Sequence, residues 1–378
     1  MTRKILIFST AYYPFVGGAE IAVKEITDRM GGDFEFHMLT ARMEKRLPQE
    51  EKIGNIMVFR MGIGNPMIDK LLLAFSGHRM ARKLQKQNDY DAVWAIMASF
   101  GGLAASKFKR INSHIPFILT LQEGDSQEYI QKRTRFIKSQ FKNIFKRADQ
   151  IQCISRYLAD WAKRMEAKCP IEVIPNGVDL KNFTQRFPVE DLRKLKQDLN
   201  KQDEDRFLIH TGRLTYKNGL NDLIKSLIYL PKNIKLLIVG IGEDEEKLKS
   251  IVNERGLENR VIFLGFINHK ELPKYLKISD IFVRPSLSEG LGISFLEAMA
   301  TKIPVVATSV GGIPDFLKEK ETGLFCRVRN PESIAEQVKI LLSNDKLRED
   351  IIQNAYKMIV QKYDWNIISQ KMKKLFIL

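Results

Sequence analysis

Glu289 and Glu297 stand eight positions apart in PSLSEGLGISFLEAMA (285–300), with a glycine turn at Gly290 and Gly292 between them. Two carboxylates flanking a scissile bond suit glycoside hydrolysis, which in its retaining form needs them about 5–5.5 Å apart. Carboxylates also accept hydrogen bonds in pairs and so hold adjacent hydroxyls of a sugar or ribose. The turn favours the second use. If a helix opens near Gly292, the N–H groups of Gly290, Leu291, Gly292 and Ile293 face an anion such as a diphosphate. Glu297 then falls in the second turn of that helix and Glu289 in the loop before it. The chemistry expected is capture of a phosphorylated, polyhydroxylated molecule, a nucleotide-linked sugar.

Other residues complete or compete with that site. HTGRLTYKNG places Arg213 and Lys217 just past an apolar run, where open α/β sheets bind ligands, and Arg and Lys both suit phosphate oxygens. In YYPFVGGAE, Gly17 and Gly18 allow close backbone approach at a helix start, and a plain tight turn is the competing reading. GIGEDEEKL (240–248) resembles half a dinucleotide fingerprint, but Glu245 stands at the third glycine position and the run is acidic, so it reads as a structural turn. Asp203, Glu204 and Asp205 form a triplet that could hold a divalent ion, but their charged surroundings read as a solvated linker edge. With five scattered histidines and cysteines only at 153, 169 and 326, neither a transition-metal site nor a disulfide framework is expected.

The elements that must position these residues read as strands alternating with helices. KILIFS (4–9), FEFHMLT (34–40), IMVFRM (56–61), DAVWAI (91–96), PFILTLQ (116–122) and IQCIS (151–155) form one series. FLIHTG (207–212), IKLLIVG (234–240), RVIFLG (260–265), DIFVRP (280–285), IPVVAT (303–308) and GLFCRV (323–328) form a second. Buried strands joined by helices make parallel sheets. The polar stretch 180–205 marks the joint, giving domains over 1–183 and 184–362, with 184–205 as a linker region. The expected class is α/β, two facing Rossmann-like domains. The tail is helical with a break near Tyr363 and Asp364, and its last piece, 363–378, is expected to pack back on the N-terminal domain.

With 61 basic and 45 acidic residues in 378, the net charge of +16 favours polyanionic partners. The apolar core of MTRKILIFSTAYYPF is shorter than a signal peptide needs, and no run reaches the roughly 18–20 apolar residues of a membrane span. A cytoplasmic protein with at most peripheral membrane contact is expected.

The motifs together resemble the retaining glycosyltransferases of family 4, which have the GT-B fold. The resemblance rests on GGAE (17–20), VIPNGVDLKNF (173–183), GRLTYKNG (212–219), FLGFI (263–267), the run from Ser279 to Leu317, and TGLFCRVRNPESIA (322–335), all in the family's order. It implies that Glu289 contacts hydroxyls of the transferred sugar and Glu297 the ribose. Gly290 to Ile293 would offer N–H groups to sugar and diphosphate, Arg213 and Lys217 would neutralise the leaving diphosphate in place of a metal, the backbone near Ile267 would contact the base, and Gly17 would line the facing wall. Two departures stand out. The family's usual histidine after the strand 116–121 is here Gln122, which can position a hydroxyl but cannot take its proton. The usual lysine five residues after the arginine is here Asn218, with Lys217 one earlier.

The implied activity moves a hexose-type sugar from a UDP- or GDP-sugar to a hydroxyl of a glycan or lipid-linked acceptor, with retention, without metal or nucleic acid. The segment 131–147 has seven basic and no acidic residues, and Phe136, Ile137, Phe141, Ile144 and Phe145 share one side of a helix. It is open to two readings, an interfacial helix on anionic lipid or a core stripe with a solvated basic face. Rival functions are a sugar-nucleotide epimerase of the same fold, a nicotinamide dehydrogenase, and a non-catalytic sugar-binding relative.

Overall fold

The computed structural model describes residues 2–377. It divides into two units: one runs to Asn176 and includes the chain from Trp365 on, the other is Gly177–Asp364. The division thus falls at the PNG turn, ahead of the polar stretch that suggests a joint at 183/184. The reason is Phe183. It is fully buried, with the His269 ring at 5.0 Å, and so ties the short helix Leu180–Phe183 to the second unit.

The first unit contains β1 (Arg3–Phe8), β2 (Phe34–Ala41), β3 (Glu50–Ile53), β4 (Ile56–Met61), β5 (Ala92–Ile96), β6 (Phe117–Leu121), β7 (Gln150–Cys153) and β8 (Ile171–Val173). They form one sheet in the order β3-β4-β2-β1-β5-β6-β7-β8, parallel except for the β3/β4 hairpin. The central strands are covered on both faces, so β1, β5 and β6 read as mainly apolar runs, whereas the outer β3 and β8 carry charged residues and stay partly exposed. The C-terminal helix Trp365–Leu375 belongs to this core: Phe376 packs its ring against Trp94 at 5.1 Å and Phe34 at 5.9 Å.

The second unit contains β9 (Arg206–Thr211), β10 (Ile234–Val239), β11 (Val261–Gly265), β12 (Ile281–Arg284), β13 (Val305–Thr308) and β14 (Leu324–Cys326), all parallel, in the order β11-β10-β9-β12-β13-β14. Leu208, Ile238, Val283 and Val306 from the sheet pack with Leu223, Ile224 and Val338 from its helices. Each unit is a Rossmann-like layer sandwich with a strand order that reverses once, between β1 and β5 in the first and between β9 and β12 in the second. The loops leaving those strands open the crevice where α/β sheets bind ligands.

Segment 131–147 resolves into the end of the helix Gln127–Thr134, a 3-10 turn, Arg135–Ile137, and a helix, Lys138–Arg147. Phe141, Ile144 and Phe145 are buried, and the rings of Phe141 and Phe145 pack on Trp161. Most of the apolar stripe is therefore core, which removes it as a membrane face. Phe136 alone stands out, 84% exposed.

Candidate functional site

In the second unit the loops after β9 and β12 are locked together. Leu287 N donates to the Lys217 carbonyl at 2.7 Å. Gly219, at φ +72°, lies so close to the Pro285 carbonyl that an added Cβ would fall 1.9 Å from it. At their centre is Arg284, the last residue of β12. Its Nη2 donates to Glu289 Oε2 at 2.6 Å and to Asn218 Oδ1 at 2.8 Å, and its Nη1 to Ser294 Oγ at 2.7 Å. The other Glu289 oxygen accepts from Gly290 N at 3.0 Å. The Glu289 carboxylate is thus held in one orientation at the mouth of the crevice, 11% exposed.

Asn218 is itself buried, and its Nδ2 donates to the Arg213 carbonyl at 2.6 Å. This explains the departure from the usual lysine: Asn218 is an internal strut between the β9 loop and Arg284. The Arg213 side chain is exposed and Lys217 half-buried, on the same loop. Beneath Arg284, His210 is fully buried. Burial, and then the Arg284 charge, push its pKa down to about 3, so it is neutral.

The helix Ile293–Ala300 opens directly after Gly292, which adopts φ +87°. Glu297 lies in its second turn, buried, and its Oε1 pairs with His269 Nε2 at 2.8 Å. Ile267 stands two residues before His269, in the loop after β11. The two carboxylates therefore have different anchors, a guanidinium for Glu289 and an imidazole for Glu297, on either side of the Gly290–Ile293 backbone.

Gly311 supports the loop from below. It sits at φ +56°, where an added Cβ would lie 1.8 Å from the Glu289 carbonyl, and Gly312 N donates to that same carbonyl at 3.1 Å. The acidic turn at 240–248 is structural: Cβ atoms on Gly240 and Gly242 would meet the carbonyls of Gly212 and Leu214 at 1.9 and 2.3 Å. In the triplet 203–205, Asp205 is spent on Lys235 Nζ at 2.6 Å and Gln202 N at 2.9 Å.

The first unit carries its own polar cluster at the strand ends. Gly17 caps the helix Gly18–Asp28, with its N–H donated to Glu20 Oε2 at 2.8 Å. Gln122, just after β6, accepts from Asn176 Nδ2 at 3.0 Å, which fixes its amide. Next to it, Glu123 is buried with Oε1 accepting from Ala98 N at 2.6 Å, and burial pushes its pKa up to about 7. Thr10 and Ser99 hydroxyls meet 2.9 Å apart nearby on the β1 and β5 loops.

Residues 16–182 match the family described as Glycosyltransferase Family 4, and residues 191–358 match Glycosyl transferases group 1. The chain belongs to glycosyltransferase family 4. An uncharacterized glycosyltransferase of Methanocaldococcus jannaschii is 36% identical over 53% of this chain and 52% of its own length. The N-acetyl-alpha-D-glucosaminyl L-malate synthase of Bacillus anthracis is 25% identical over 95% of this chain and 93% of its own. Among solved structures, Anabaena HepE in complex with UDP-glucose superposes with a TM-score of 0.81 at 22% identity, covering 99% of this chain and 100% of that one, a likeness of GT-B fold.

In this family 4 chain, sequence reasoning missed Arg284, Gly311, His269 and Glu123. The signal for Arg284 was available: an arginine ending an otherwise apolar, buried strand needs an anionic partner nearby, and Glu289 is the first carboxylate after it. The glycine pair Gly311 and Gly312 after β13 likewise marks a close backbone approach. His269 and Glu123 have no spacing signature, because their partners come from distant parts of the chain.

Proposed function

We propose that this glycosyltransferase transfers a hexose-type sugar, with retention and without a metal, from a UDP- or GDP-sugar to a hydroxyl of a glycan or lipid-linked acceptor in cell-surface polysaccharide or glycolipid synthesis. The observation that carries the reading is the separate anchoring of the two carboxylates on either side of a helix-opening backbone turn. A carboxylate gripped by Arg284 and the Gly290 N–H is a fixed acceptor for sugar hydroxyls and a poor nucleophile, since displacing it means breaking both bonds. Glu297 would take the ribose hydroxyls, sharing its carboxylate with His269. The Gly290–Ile293 N–H groups, Arg213 and Lys217 would meet the diphosphate and stabilise the charge that grows on it as the glycosidic bond breaks. The departing phosphate then accepts the proton of the acceptor hydroxyl, and Gln122, fixed by Asn176, positions that hydroxyl without titrating.

The donor type is supported by the UDP-glucose held by the HepE relative. No helix among the described residues is long and apolar enough to cross a membrane. Contact with the inner face of a membrane is therefore proposed as peripheral, through the exposed basic side of 131–147 together with Phe136.

A panel of UDP- and GDP-sugars screened by thermal shift, followed by transfer assays with NMR of the product anomer and a chelator control, tests the reading. One donor should stabilise the chain, and the product should keep the anomeric configuration in the presence of chelator. A covalent glycosyl adduct on Glu289, or an inverted product, would overturn it.

A further inference from the structure

A cavity lies in the first unit, away from the donor-site and Gln122 residues and within the segment whose basic side is proposed above for peripheral membrane contact. It is a solvent-open hollow of about 590 Å³ between the helix Gln127–Thr134, the turn Arg135–Ile137 and the helices Lys138–Arg147 and Arg156–Arg164. Lys132, Arg135, Lys138, Lys142 and Arg164 line it, against a single acid, Glu128. Its floor is apolar, made by Phe141, Trp161 and Met165, all buried in the core.

The distribution of charge partners separates this cavity from an ordinary solvated basic face. Lys142 is paired with Glu166, which also takes Lys146 at 2.6 Å, and Arg164 donates to Gln127 Oε1 at 2.9 Å. Lys132, Arg135 and Lys138 make no ion pair among the described residues, although they converge on one cavity. Arg135 is oriented by stacking on the exposed Phe136 ring, 4.4 Å from its centroid. Cations held together without a counter-charge repel one another, and a multiply charged anion relieves that repulsion while accepting several charge-assisted hydrogen bonds. The volume exceeds that of a bare phosphate and falls in the range of small-molecule sites. The aromatic floor adds an apolar wall that inorganic anions do not use.

We infer that this cavity binds a phosphate ester, with the phosphate or diphosphate on Lys132, Arg135 and Lys138 and its organic portion against Phe141 and Trp161. The ester is either a soluble phosphorylated compound or the headgroup of an anionic lipid, and both present the same chemistry to these side chains. The site does not depend on the donor reading, and its lipid arm rests on the peripheral contact proposed for 131–147, which the soluble-ester arm does not need.

The test is calorimetric titration with inorganic pyrophosphate and with farnesyl diphosphate, in an Arg213→Gln/Lys217→Gln background that removes the donor-loop cations. The same titration follows with Arg135→Gln and Lys138→Gln added. Both side chains are exposed and unpaired, so the added changes should leave the melting temperature where it was. Pyrophosphate should bind once per chain, farnesyl diphosphate more tightly, and the added substitutions should weaken both by about tenfold or more. Flotation with phosphatidylglycerol vesicles against phosphatidylcholine vesicles separates the sources. Flotation lost with Arg135→Gln/Lys138→Gln assigns the site to a lipid headgroup, and flotation unchanged alongside weakened titration assigns it to a soluble ester. Pyrophosphate affinity that is absent, or equal with and without the added pair of substitutions, overturns the inference.

Discussion

Replacing Arg284 by methionine removes the anchor of Glu289 while keeping an apolar stem against Phe295, whose ring lies 5.4 Å from the guanidinium. Three hydrogen bonds of 2.6 to 2.8 Å disappear, to Glu289, Asn218 and Ser294. The side chains of Arg284 and Glu289 are only 10% and 11% exposed, so the carboxylate left behind has little water to turn to. Removing one partner of a buried ion pair costs about 3–5 kcal/mol, and the residual exposure of both groups puts this pair near about 3 kcal/mol. That is a factor of roughly 10² in the equilibrium between closed and open forms. Hydrogen exchange of the β9 and β12 amides reads this directly, because it reports the opening of that sheet regardless of the rest of the chain. Adding Glu289→Gln to Arg284→Met should recover part of the loss, since a buried amide is cheaper than a lone buried carboxylate, giving a coupling of about 1 kcal/mol or more. If Arg284→Met leaves those amides exchanging as in the parent chain, or if the two substitutions act additively, the anchoring argument is refuted.

Gly311→Ala should weaken binding of whichever nucleoside diphosphate, UDP or GDP, the parent chain takes by about tenfold or more in a calorimetric titration, because its Cβ would displace the Glu289 carbonyl and with it the loop; an unchanged affinity would show that the loop absorbs the clash. Glu123 has a folded pKa raised to about 7, so between the usual carboxylate range and pH 7 the folded chain binds more protons than the unfolded one. Stability of the first unit should therefore fall as pH rises from about 5 to 7 and level off above, and Glu123→Gln should flatten that slope in urea titrations at pH 5 and 8. His210 has the opposite sign: its folded pKa is lowered to about 3, so the unfolded chain takes up the proton first. The second unit should lose stability as pH falls from about 7 towards 3, and His210→Leu should remove that dependence in amide exchange followed across the same range.

The strands of both sheets were legible wherever both faces are covered, because a buried parallel strand is apolar at most of its positions. The strands that escaped notice, Glu50–Ile53 and Ile171–Val173, are sheet edges where exposed sides admit Glu and Lys and erase the pattern. The apolar stripe of 131–147 was legible as a helix face but ambiguous in its destination, since a core and a lipid surface demand the same periodicity. Only the position of Trp161 decides it. At the site, Glu289, Glu297 and the glycines between them announce themselves by local spacing. Arg284 and Asn218 do not, because 66 positions separate them and their partnership exists only once β9 and β12 are side by side.

The return of the chain to the first unit sets an order of events during synthesis. Phe376 completes an aromatic cluster with Phe34, Phe36 and Trp94, and Arg3 Nη1 donates to its carbonyl at 2.9 Å. These partners emerge from the ribosome well before the residue that closes over them, with the whole second unit made in between. The intervening second unit, roughly 190 residues long, takes about 10–40 s to translate at ordinary speeds of about 5–20 residues per second. Through that interval the nascent first unit carries an uncapped apolar surface beside β1 and β2, while the second unit can finish independently. The first unit, begun before the second, is thus closed only after the second has been made.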